Sequence, residues 1–541
     1  MATPTLTSLR RTAHRAMEVE SRAFSQRRPV DRRVVFFESF DGNGALCNPE
    51  AIFRTLVKDP GFADLRFVWS LRPGHDHDLV LTEFGGDARV RFVEPGSEAY
   101  ARAVSTAGYL VTNSTFPRWF SRRDGQVVLN TWHGTPLKKM GFDIDDQPAR
   151  VANVLRTFLH SDYLLSSGDY MTNTLYRQAH RLDGLFDGRV LQLGLPRVDA
   201  QFADTGERQE TIAALRDAGL DLDGRRLVLF APTWKGTSFV RPDDPRILVD
   251  QARELQDLLG DDYRVALKAH QVVHDSVSER AGTGLLVPND LPTNRVLAVT
   301  DHLVTDYSSV FFDFLTTGRP LHFFVPDIGD YGDYRGLYLE PSTWPGRVTT
   351  TLAELADSVR APLDEAGVER LAAARRRFTG DDDGRATARV VDAVFRGVVD
   401  PDRSRALNES TARRVLLVAG GPTDRWDPAV VDREIATIDL DTTDLTVLVS
   451  DSRKREFIAW QKSQDRRIRV VVRQGGLEGS KFWSFAARVT GRRPPSQWRA
   501  ELRRLFGRSR FDAVVVATRH PFWVALSETA KADVRPGSAR S

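Results

Sequence analysis

The sequence predicts an α/β protein with two Rossmann-like, doubly wound domains that face each other across a cleft, followed by a partial Rossmann-like α/β domain. Three observations lead to this prediction. Short apolar runs alternate with helical segments, the alternation restarts near residues 226 and 414, and polar clusters directly follow several of the apolar runs. In addition, 541 residues exceed what one hydrophobic core usually organises, so roughly two to three domains are expected.

The first series of strands and helices is predicted to occupy residues 33–205, after an N-terminal segment 1–32. Its apolar runs are short and are bounded by turn residues. A helix is predicted over 48–58, and the predicted strands are 34–37, 65–69, 79–81, 90–93, 109–111, 127–129 and 163–165. Strands that alternate with helices in this way are typical of a parallel, doubly wound sheet.

The second series is predicted to occupy residues 206–400. Its predicted strands are 227–230, 263–268, 285–287, 302–305 and 321–324, with helices over 208–218, 245–259 and 309–317. Two such sheets in succession indicate a GT-B-like architecture. A ligand would then lie between the domains, at the carboxyl ends of the strands.

A third unit is predicted over residues 409–541, after a linker at 400–408. Its predicted strands are 414–419, 445–449, 468–472 and 511–517, with a basic helix over 496–506. This pattern is similar to the first half of a Rossmann-like glycosyltransferase unit without its nucleotide-binding second half. We expect a separately folded domain, so that removal of the chain from Asn408 onward leaves activity measurable.

The composition excludes several classes of protein. A hydrophobic content of 41% and a charged content of 28% are typical of a globular chain. No run approaches the roughly 20 apolar residues of a spanning helix, and no signal-peptide core follows Met1, so a cytoplasmic protein is expected. The one cysteine excludes an intramolecular disulfide framework. A net charge of +3 is too small to indicate a nucleic-acid partner, and none is expected.

The N-terminal segment 1–32 is rich in arginine and has a thin apolar stripe. A basic, weakly amphipathic helix of this kind could lie on an anionic membrane surface. A solvated N-terminal arm is the alternative.

The stretch 130–143 is the strongest candidate for a ligand site. It reads N-T-W-H-G-T-P-L-K-K-M-G-F-D and follows the predicted strand 127–129. Pro136 suits the first turn of a helix that 137–140 could continue, and such a turn would offer free backbone N–H groups beside two lysines and an imidazole. This combination favours an anionic, phosphorylated ligand.

Polar clusters also follow the strands of the second series. Each has a structural explanation by itself, as a turn, a strand-end charge or a helix cap. Together, at successive strand ends of one sheet, they predict a phosphate site. Their members are Pro232, Thr233 and Trp234; Lys268, Ala269 and His270; and Asp306, Ser308 and Ser309.

Taken together, these motifs resemble those of the CDP-glycerol glycerophosphotransferase family, the teichoic-acid polymerases and primases of bacterial cell envelopes. The resemblance covers roughly residues 33–400. One departure is Gln271, which stands where we would expect proline in close relatives. The matching segments are F-E-S-F at 37–40, N-P-E-A-I at 48–52, W-H-G-T-P-L-K-K-M-G at 132–141, G-L-P-R-V-D at 194–199, P-T-W at 232–234, K-A-H at 268–270, V-T-D-Y-S-S-V-F-F-D-F at 304–314 and D-D-G-R-A at 382–386.

The resemblance implies transfer of glycerol phosphate from CDP-glycerol to a hydroxyl of a lipid-linked polyol-phosphate or glycan acceptor, with release of CMP. It places the acceptor on the side of the first domain and CDP-glycerol in the second. His133 is then the candidate general base, while His270 and Lys268 would stabilise the pyrophosphate and the leaving CMP. The substrate-binding candidates are Trp132, Gly134, Thr135, Pro136, Arg197, Pro232, Thr233, Trp234, Lys268, Ala269, Asp306, Ser308, Ser309 and Asp313.

No cofactor is expected. Histidine, lysine and arginine already supply positive potential, so a divalent metal is unnecessary. The D-x-D pattern at 143–145 is interpreted as surface charge and not as a metal site.

These inferences suggest a cytoplasmic enzyme that is peripheral on the inner face of the cell membrane. Two alternatives remain open at this point. A CDP-ribitol phosphotransferase or a nucleotide-sugar glycosyltransferase could use the same fold. A non-catalytic, membrane-peripheral polymer-binding protein is also conceivable, although the presence of both His133 and His270 argues against it.

Overall fold

The computed structural model describes residues 17–75, 77–144, 148–233, 236–238, 241–242, 246–269, 274, 277–278, 284–328, 336–421, 427–451, 454–477 and 493–534. The strands are β1 Asp31–Glu38, β2 Arg66–Ser70, β3 Val90–Val93, β4 Ala107–Thr112, β5 Val127–Asn130, β6 Tyr163–Ser166, β7 Arg189–Gln192, β8 Arg226–Ala231, β9 Gly236–Ser238, β10 Arg241–Pro242, β11 Tyr263–Leu267, β12 His302–Thr305, β13 Leu321–Phe324, β14 Arg347–Thr349, β15 Ser404–Ala406, β16 Arg413–Gly420, β17 Thr443–Ser450, β18 Arg469–Arg473 and β19 Ala513–Val516.

Helices connect most of these strands. The α-helices are Cys47–Lys58, Asp78–Phe84, Glu98–Thr106, Pro148–Leu159, Asp169–Met171, Thr205–Asp217, Arg246–Leu259, Thr293–Val299, Val310–Phe314, Leu352–Arg360, Glu365–Phe378, Ala386–Phe395, Pro428–Ala436, Arg455–Ser463, Pro495–Phe506 and Pro521–Ala532. A π-helix covers Thr172–Ala179, and a 3-10 helix covers Pro196–Phe202. The predicted α/β class is confirmed.

The three larger sheets have the doubly wound strand orders that the alternating pattern predicts. The first runs β15-β7-β6-β5-β4-β1-β2-β3 and is parallel except for β15. The second, β11-β8-β12-β13-β14, is parallel throughout. The order reverses between β1 and β4 in the first sheet, and between β8 and β12 in the second. Ligands of such sheets bind beyond the carboxyl ends of the strands at these reversals.

The third sheet has the order β18-β17-β16-β19, which is the first half of a doubly wound sheet. One of its faces has a hydrophobic cluster almost entirely of its own, which includes Leu417, Val447 and Val470, and its other face shares a cluster with the first unit. One hydrophobic cluster joins Phe158 and Leu159 of the first unit to Leu448, Val471 and Leu505 of the third. The third unit is therefore packed against the first, and its separate folding stays a prediction. The domain limits drawn from the sequence remain a prediction.

Four predicted elements differ in the structure. Residues 79–81 belong to the helix Asp78–Phe84, because Val80 and Phe84 face the core four residues apart while Leu79 and Leu81 are exposed. Residues 285–287 form only a single bridge, from Leu286 to Leu267. The predicted linker contains β15, which adds an antiparallel edge strand to the first sheet. The helix predicted after Pro136 is absent, for a reason given below.

The helix Ala386–Phe395 lies at the end of the second predicted domain but packs on the first. Its Val390, Val391 and Val394 belong to the core of the first sheet. The chain therefore crosses between the two units twice before it reaches the third. Residues 17–25 are helical. Within the part of the chain that the structure describes, no helix is both long and apolar enough to span a bilayer.

Candidate active site

A cleft of about 720 Å³ lies between the carboxyl ends of the first two sheets. The first unit contributes the loop after β5, the start of the helix Cys47–Lys58 and the 3-10 helix Pro196–Phe202. The second contributes the loops after β8, β11 and β12. Nine of the residues predicted from the sequence line this cleft: His133, Arg197, Pro232, Thr233, Lys268, Ala269, Ser308, Ser309 and Asp313.

One hydrogen bond fixes the tautomer of His133. Its Nδ1 lies 2.7 Å from the backbone carbonyl oxygen of Asn113, which directly follows β4. A carbonyl oxygen only accepts, so Nδ1 carries the proton and Nε2 keeps a lone pair. The Asn113 side chain in turn accepts a 2.8 Å hydrogen bond from the backbone N–H of Phe40, beyond the end of β1. Asn113 and Phe40, which follow the two strands where the strand order reverses, thus orient the imidazole of His133.

The surroundings of His133 keep the ring neutral. Trp132 stacks on it, with ring centroids 4.3 Å apart. The imidazole is open to the cleft, but protein surrounds its other sides, and this burial lowers the pKa of His133 despite the Asn113 hydrogen bond. The nearby charge of Arg197 lowers the pKa further. A neutral imidazole with a free Nε2 is suited to accept a proton near neutral pH.

Trp132 reaches this position through a left-handed backbone conformation, with φ of +50°. The strain of such a conformation is tolerated where surrounding contacts determine it. The Trp132 N–H donates to Asn130 Oδ1 at 2.9 Å, and the Trp132 carbonyl oxygen accepts from Asn48 Nδ2 at 3.3 Å. The indole is only 5% exposed, so Trp132 packs against His133 on the side that faces away from the cleft.

The segment that follows is not helical, so the predicted anion-binding helix start does not form. Leu137 inserts into the core of the second unit. Its carbonyl oxygen accepts from Tyr338 N–H at 2.8 Å, and Lys139 N–H donates to the Gly336 carbonyl at 3.1 Å. Burial of Leu137 in the second unit, together with these two backbone hydrogen bonds, outweighs the helical conformation that the local sequence favours.

The residues between His133 and Leu137 lie behind the cleft surface. A Cβ at Gly134 would come 2.8 Å from Ser309 Oγ, so this position brings the two units into close contact. Thr135 is buried, with Oγ1 3.3 Å from Ser167 Oγ. The Pro136 carbonyl accepts from the Tyr170 hydroxyl at 2.9 Å.

Arg197 and Asp313 form a bidentate ion pair between the two units. Nε and Nη2 of Arg197 donate to the two carboxylate oxygens at 2.7 and 2.9 Å. Burial alone would lower the pKa of Arg197, but the Asp313 charge and the contact with Cys47 outweigh it and raise that pKa. The guanidinium is neutralised in place, so its main effect is to hold the units together.

The second unit supplies the other wall. Thr233 donates from both N–H and Oγ1 to Asp306 Oδ1, at 2.8 and 2.5 Å, across the reversal between β8 and β12. Asp306 is only 2% exposed, and its carboxylate fixes the position of Thr233 through these two hydrogen bonds. Lys268 Nζ donates to the Pro288 carbonyl at 2.7 Å, and burial lowers the pKa of Lys268 to about 8. Its charge is therefore sensitive to mildly alkaline pH.

Ser308 and Ser309 precede the helix Val310–Phe314, which has only five residues. Both serines line the cleft, and Ser308 Oγ accepts a long, 3.4 Å hydrogen bond from Val310 N–H. The predicted helix over 309–317 is thus shorter, and 315–317 continue it as a 3-10 turn. Two further predicted site residues, Trp234 and His270, lie outside the described residues.

Sequence reasoning missed several residues of the site. Asn113 orients His133 through its carbonyl group. Asn294 donates to Asp313 Oδ2 at 3.0 Å, and Cys47 lines the cleft beside Arg197. Glu38, the last residue of β1, does not line the cleft but is fully buried next to this strand end, and burial raises its pKa to about 7. The rule used for the second sheet, polar residues directly after an apolar strand, would have pointed to Glu38 and Asn113.

The D-x-D pattern has a structural role at its first residue. Asp143 Oδ2 accepts hydrogen bonds from Tyr338 and Gln178, at 2.7 and 3.0 Å. Asp145 lies outside the described residues. In the residues that the structure describes, no group of three or more His, Cys, Asp or Glu side chains is placed to share a metal ion.

The chain is similar to known proteins of one family over most of its length. The family model described as CDP-Glycerol:Poly(glycerophosphate) glycerophosphotransferase matches residues 21–396. The teichoic acid poly(glycerol phosphate) polymerase of Bacillus spizizenii is 30% identical over 346 residues, which are 61% of this chain and 84% of that protein. The teichoic acid glycerol-phosphate transferase of Staphylococcus aureus is 27% identical over 379 residues, 68% of this chain and 94% of that protein.

A solved structure supports the same relationship. The wall teichoic acid polymerase TagF superposes with a TM-score of 0.61 at 25% identity, over 72% of this chain and 96% of that chain. The match with the family model ends before the third unit begins.

Proposed function

We propose that the cleft binds the donor and that His133 activates the acceptor hydroxyl, because the chain belongs to the CDP-glycerol:poly(glycerophosphate) glycerophosphotransferase family. The chain transfers glycerol phosphate from CDP-glycerol to a polyol-phosphate acceptor of teichoic acid synthesis. The observation that carries this proposal is the tautomer of His133. With Nδ1–H donated to Asn113, Nε2 is the ring nitrogen that can take a proton.

The reaction balances without any further reagent. The acceptor oxygen attacks the phosphorus that bears glycerol, and a new P–O bond forms as the P–O bond to CMP breaks. The hydroxyl proton passes to His133 Nε2, and CMP leaves with the bridging oxygen. The cleft then has to orient the acceptor for in-line attack and to stabilise charge on the leaving phosphate.

Lys268 is the cation that we assign to the leaving group. It lines the opposite wall from His133, and within the described part of the chain no carboxylate forms a bidentate pair with it as Asp313 does with Arg197, although the charge of Asp290 acts on it from a distance. Ser308 and Ser309 would add hydroxyl groups to the donor phosphates. For His270, the role of a second phosphate ligand rests on the family resemblance alone.

The acceptor and the location of the enzyme are part of the proposal. We assign a lipid-linked acceptor at an anionic membrane surface and no nucleic-acid partner. The support is the helical segment 17–25, on which Met17 and Phe24 are 71% and 59% exposed, with Arg28 stacked over the Phe24 ring. Apolar side chains beside arginines suit the interface of an anionic bilayer.

The experiment that tests the reaction is CMP release with CDP-glycerol, CDP-ribitol and a nucleotide sugar as donors, and a glycerol-phosphate-primed lipid as acceptor. We expect acceptor-dependent CMP from CDP-glycerol. His133→Ala should reduce kcat by about 10²- to 10⁴-fold and leave KM for CDP-glycerol nearly unchanged, since a base acts only in the transition state. His75→Ala, which changes a histidine outside the cleft, is the matched control. Wild-type CMP release by His133→Ala would exclude His133 as the base, and preference for CDP-ribitol would reassign the donor.

Membrane binding needs a separate measurement. Flotation with vesicles that contain anionic lipid should recover the full chain at low salt and release it at high salt. Replacement of Met17 and Phe24 by serine should weaken recovery. Equal recovery with neutral vesicles, or no effect of the two serines, would contradict the proposed surface.

A further inference from the structure

A second cavity, of about 480 Å³, lies at the seam between the first and third units. We call it the seam cavity. Its first-unit wall precedes the strands: Arg122 and Asp124 come before β5, and Asp187 before β7. The cavity is therefore at the amino ends of the first sheet, opposite the candidate active site.

Close packing forms the seam. A Cβ at Gly507 would lie only 2.1 Å from the Leu159 carbonyl oxygen, so the end of the helix Pro495–Phe506 touches the end of the helix Pro148–Leu159. His160 Nε2 lies 3.0 Å from the Arg504 carbonyl oxygen, and Arg504 donates to the Arg118 carbonyl at 2.9 Å. The cavity walls are thus rigid parts of one core.

The cavity is cationic. Five arginines line it, namely Arg122, Arg499, Arg503, Arg508 and Arg510, against three lining aspartates and Asp162 next to them. Arg508 also lies 3.6 Å from Asp187. Arg122 pairs with Asp162 at 2.7 Å, and Arg508 with Asp162 at 3.0 Å. Arg499 has only a loose contact with Asp533, at 3.9 Å.

Two guanidinium groups remain uncompensated. Among the residues that the structure describes, no carboxylate lies within ion-pair distance of Arg503 or Arg510, and both side chains are exposed. Guanidinium forks bind phosphate oxygens in a bidentate manner and keep their charge at all relevant pH values. Several such groups around one recess match a ligand that carries repeated phosphates.

We propose that the seam cavity binds phosphodiester groups of the poly(glycerol phosphate) chain at a distance from the reaction centre. The proposal rests on the proposed function, because that reaction makes a polymer with one negative charge per repeat. The cavity holds a stretch of chain that has already grown, while the chain terminus occupies the cleft. Binding of the polymer in the seam cavity raises the local concentration of its terminus at the active-site cleft.

The geometry predicts a length threshold. The strand β1 has eight residues and spans roughly 26 Å, so an acceptor must reach around the sheet before it touches both sites. Acceptors shorter than this span gain nothing from the seam cavity. Longer acceptors bind more tightly, and their binding weakens with salt as ions compete for the arginines.

The test uses the full chain with Arg503→Gln and Arg510→Gln combined. Equilibrium binding to long poly(glycerol phosphate) should weaken about tenfold, since two charge-assisted contacts are lost. KM for a long acceptor should rise to a similar extent, while kcat and the KM values for CDP-glycerol and a one-unit acceptor stay unchanged. The matched control is Arg370→Gln with Arg375→Gln, which removes the same charge from an exposed helix outside both cavities.

Each outcome bears on the proposal. Unchanged binding of the long polymer, or an equal loss in the control pair, would overturn it. A loss of binding to an acidic peptide or to RNA that matches or exceeds the loss for the polymer would overturn it in favour of another partner. Binding is measured without catalysis, so an enzyme that binds the polymer through these arginines but releases no CMP would reject the proposed function and keep the seam cavity.

Discussion

The hydroxyl group of Tyr338 donates a 2.7 Å hydrogen bond to the Asp143 carboxylate, and it also accepts one from the Met140 N–H at 3.1 Å. Tyr338 belongs to the second unit, whereas Met140 and Asp143 end the segment that carries His133. The bond therefore connects the loop of the candidate base to the opposite wall of the cleft.

We predict that Tyr338→Phe loosens this connection. Loss of the hydroxyl leaves Asp143 and the Met140 N–H each without one partner, a cost of about 1–3 kcal/mol. KM for CDP-glycerol should rise several-fold, and the apparent Tm should fall by a few degrees. Tyr109→Phe is the control, because the Tyr109 hydroxyl has no hydrogen-bond partner among the described residues. Identical kinetics of both variants would show that the bond does not shape the cleft.

Lys268 should produce an alkaline limb in the pH dependence of activity. Burial lowers its pKa to about 8, so the side chain is charged below this pH and neutral above it. If its charge stabilises the leaving CMP, kcat/KM falls as the pH rises through 8. Lys268→Arg should keep measurable activity and move this limb to higher pH, since arginine stays charged. If the alkaline fall of kcat/KM occurs at the same pH in Lys268→Arg, the group that titrates is not Lys268.

The Arg197–Asp313 pair should be coupled strongly. Asp313→Asn leaves a buried guanidinium without its counter-charge, and the expected loss is about 3–5 kcal/mol of unfolding free energy. Arg197→Met combined with Asp313→Leu should lose less than the two single variants together. A double-mutant cycle from urea denaturation measures the difference. Removal of the exposed Arg396–Asp392 pair should change stability much less than either single variant of the buried pair. Additive losses at Arg197 and Asp313 would contradict the coupling.

Truncation from Asn408 onward should destabilise the first unit. The cut exposes the Phe158 and Leu159 side chains that pack against Leu505 and Val471, and each large apolar side chain loses about 1.5–3 kcal/mol of burial. We expect an insoluble or low-melting protein with little activity. Removal of 535–541 alone is the control. A soluble truncated chain with the Tm and activity of the full chain would show that the shared core is dispensable.

Strands and helices were largely predictable because their signals are local. The strands at 302–305 and 321–324 have the predicted limits, and most others extend the predicted range by one or two residues. The helix Asp78–Phe84 differs from the strand predicted at 79–81, because three apolar residues in a row do not reveal their period. The four-residue spacing of Val80 and Phe84 would have identified it.

The residues of the cleft were predictable for a related reason. The carboxyl ends of parallel strands meet at one edge, so polar clusters after successive strands come together whatever the helices between them do. Pro232, Lys268 and Ser308 reach the same cleft by this rule. What each side chain does there depended on partners distant in the chain.

The sequence by itself determined the α/β class, the alternation of elements and the family, since these depend on patterns within short windows and on motifs in order. Tertiary structure alone decided that Leu137 enters the second core and prevents the predicted helix, that Asp313 neutralises Arg197, and that one face of the third unit shares a hydrophobic cluster with the first. In each case the decisive partner is more than a hundred residues away in the chain. Burial and charge pairing at such separations leave no periodic signal in the sequence.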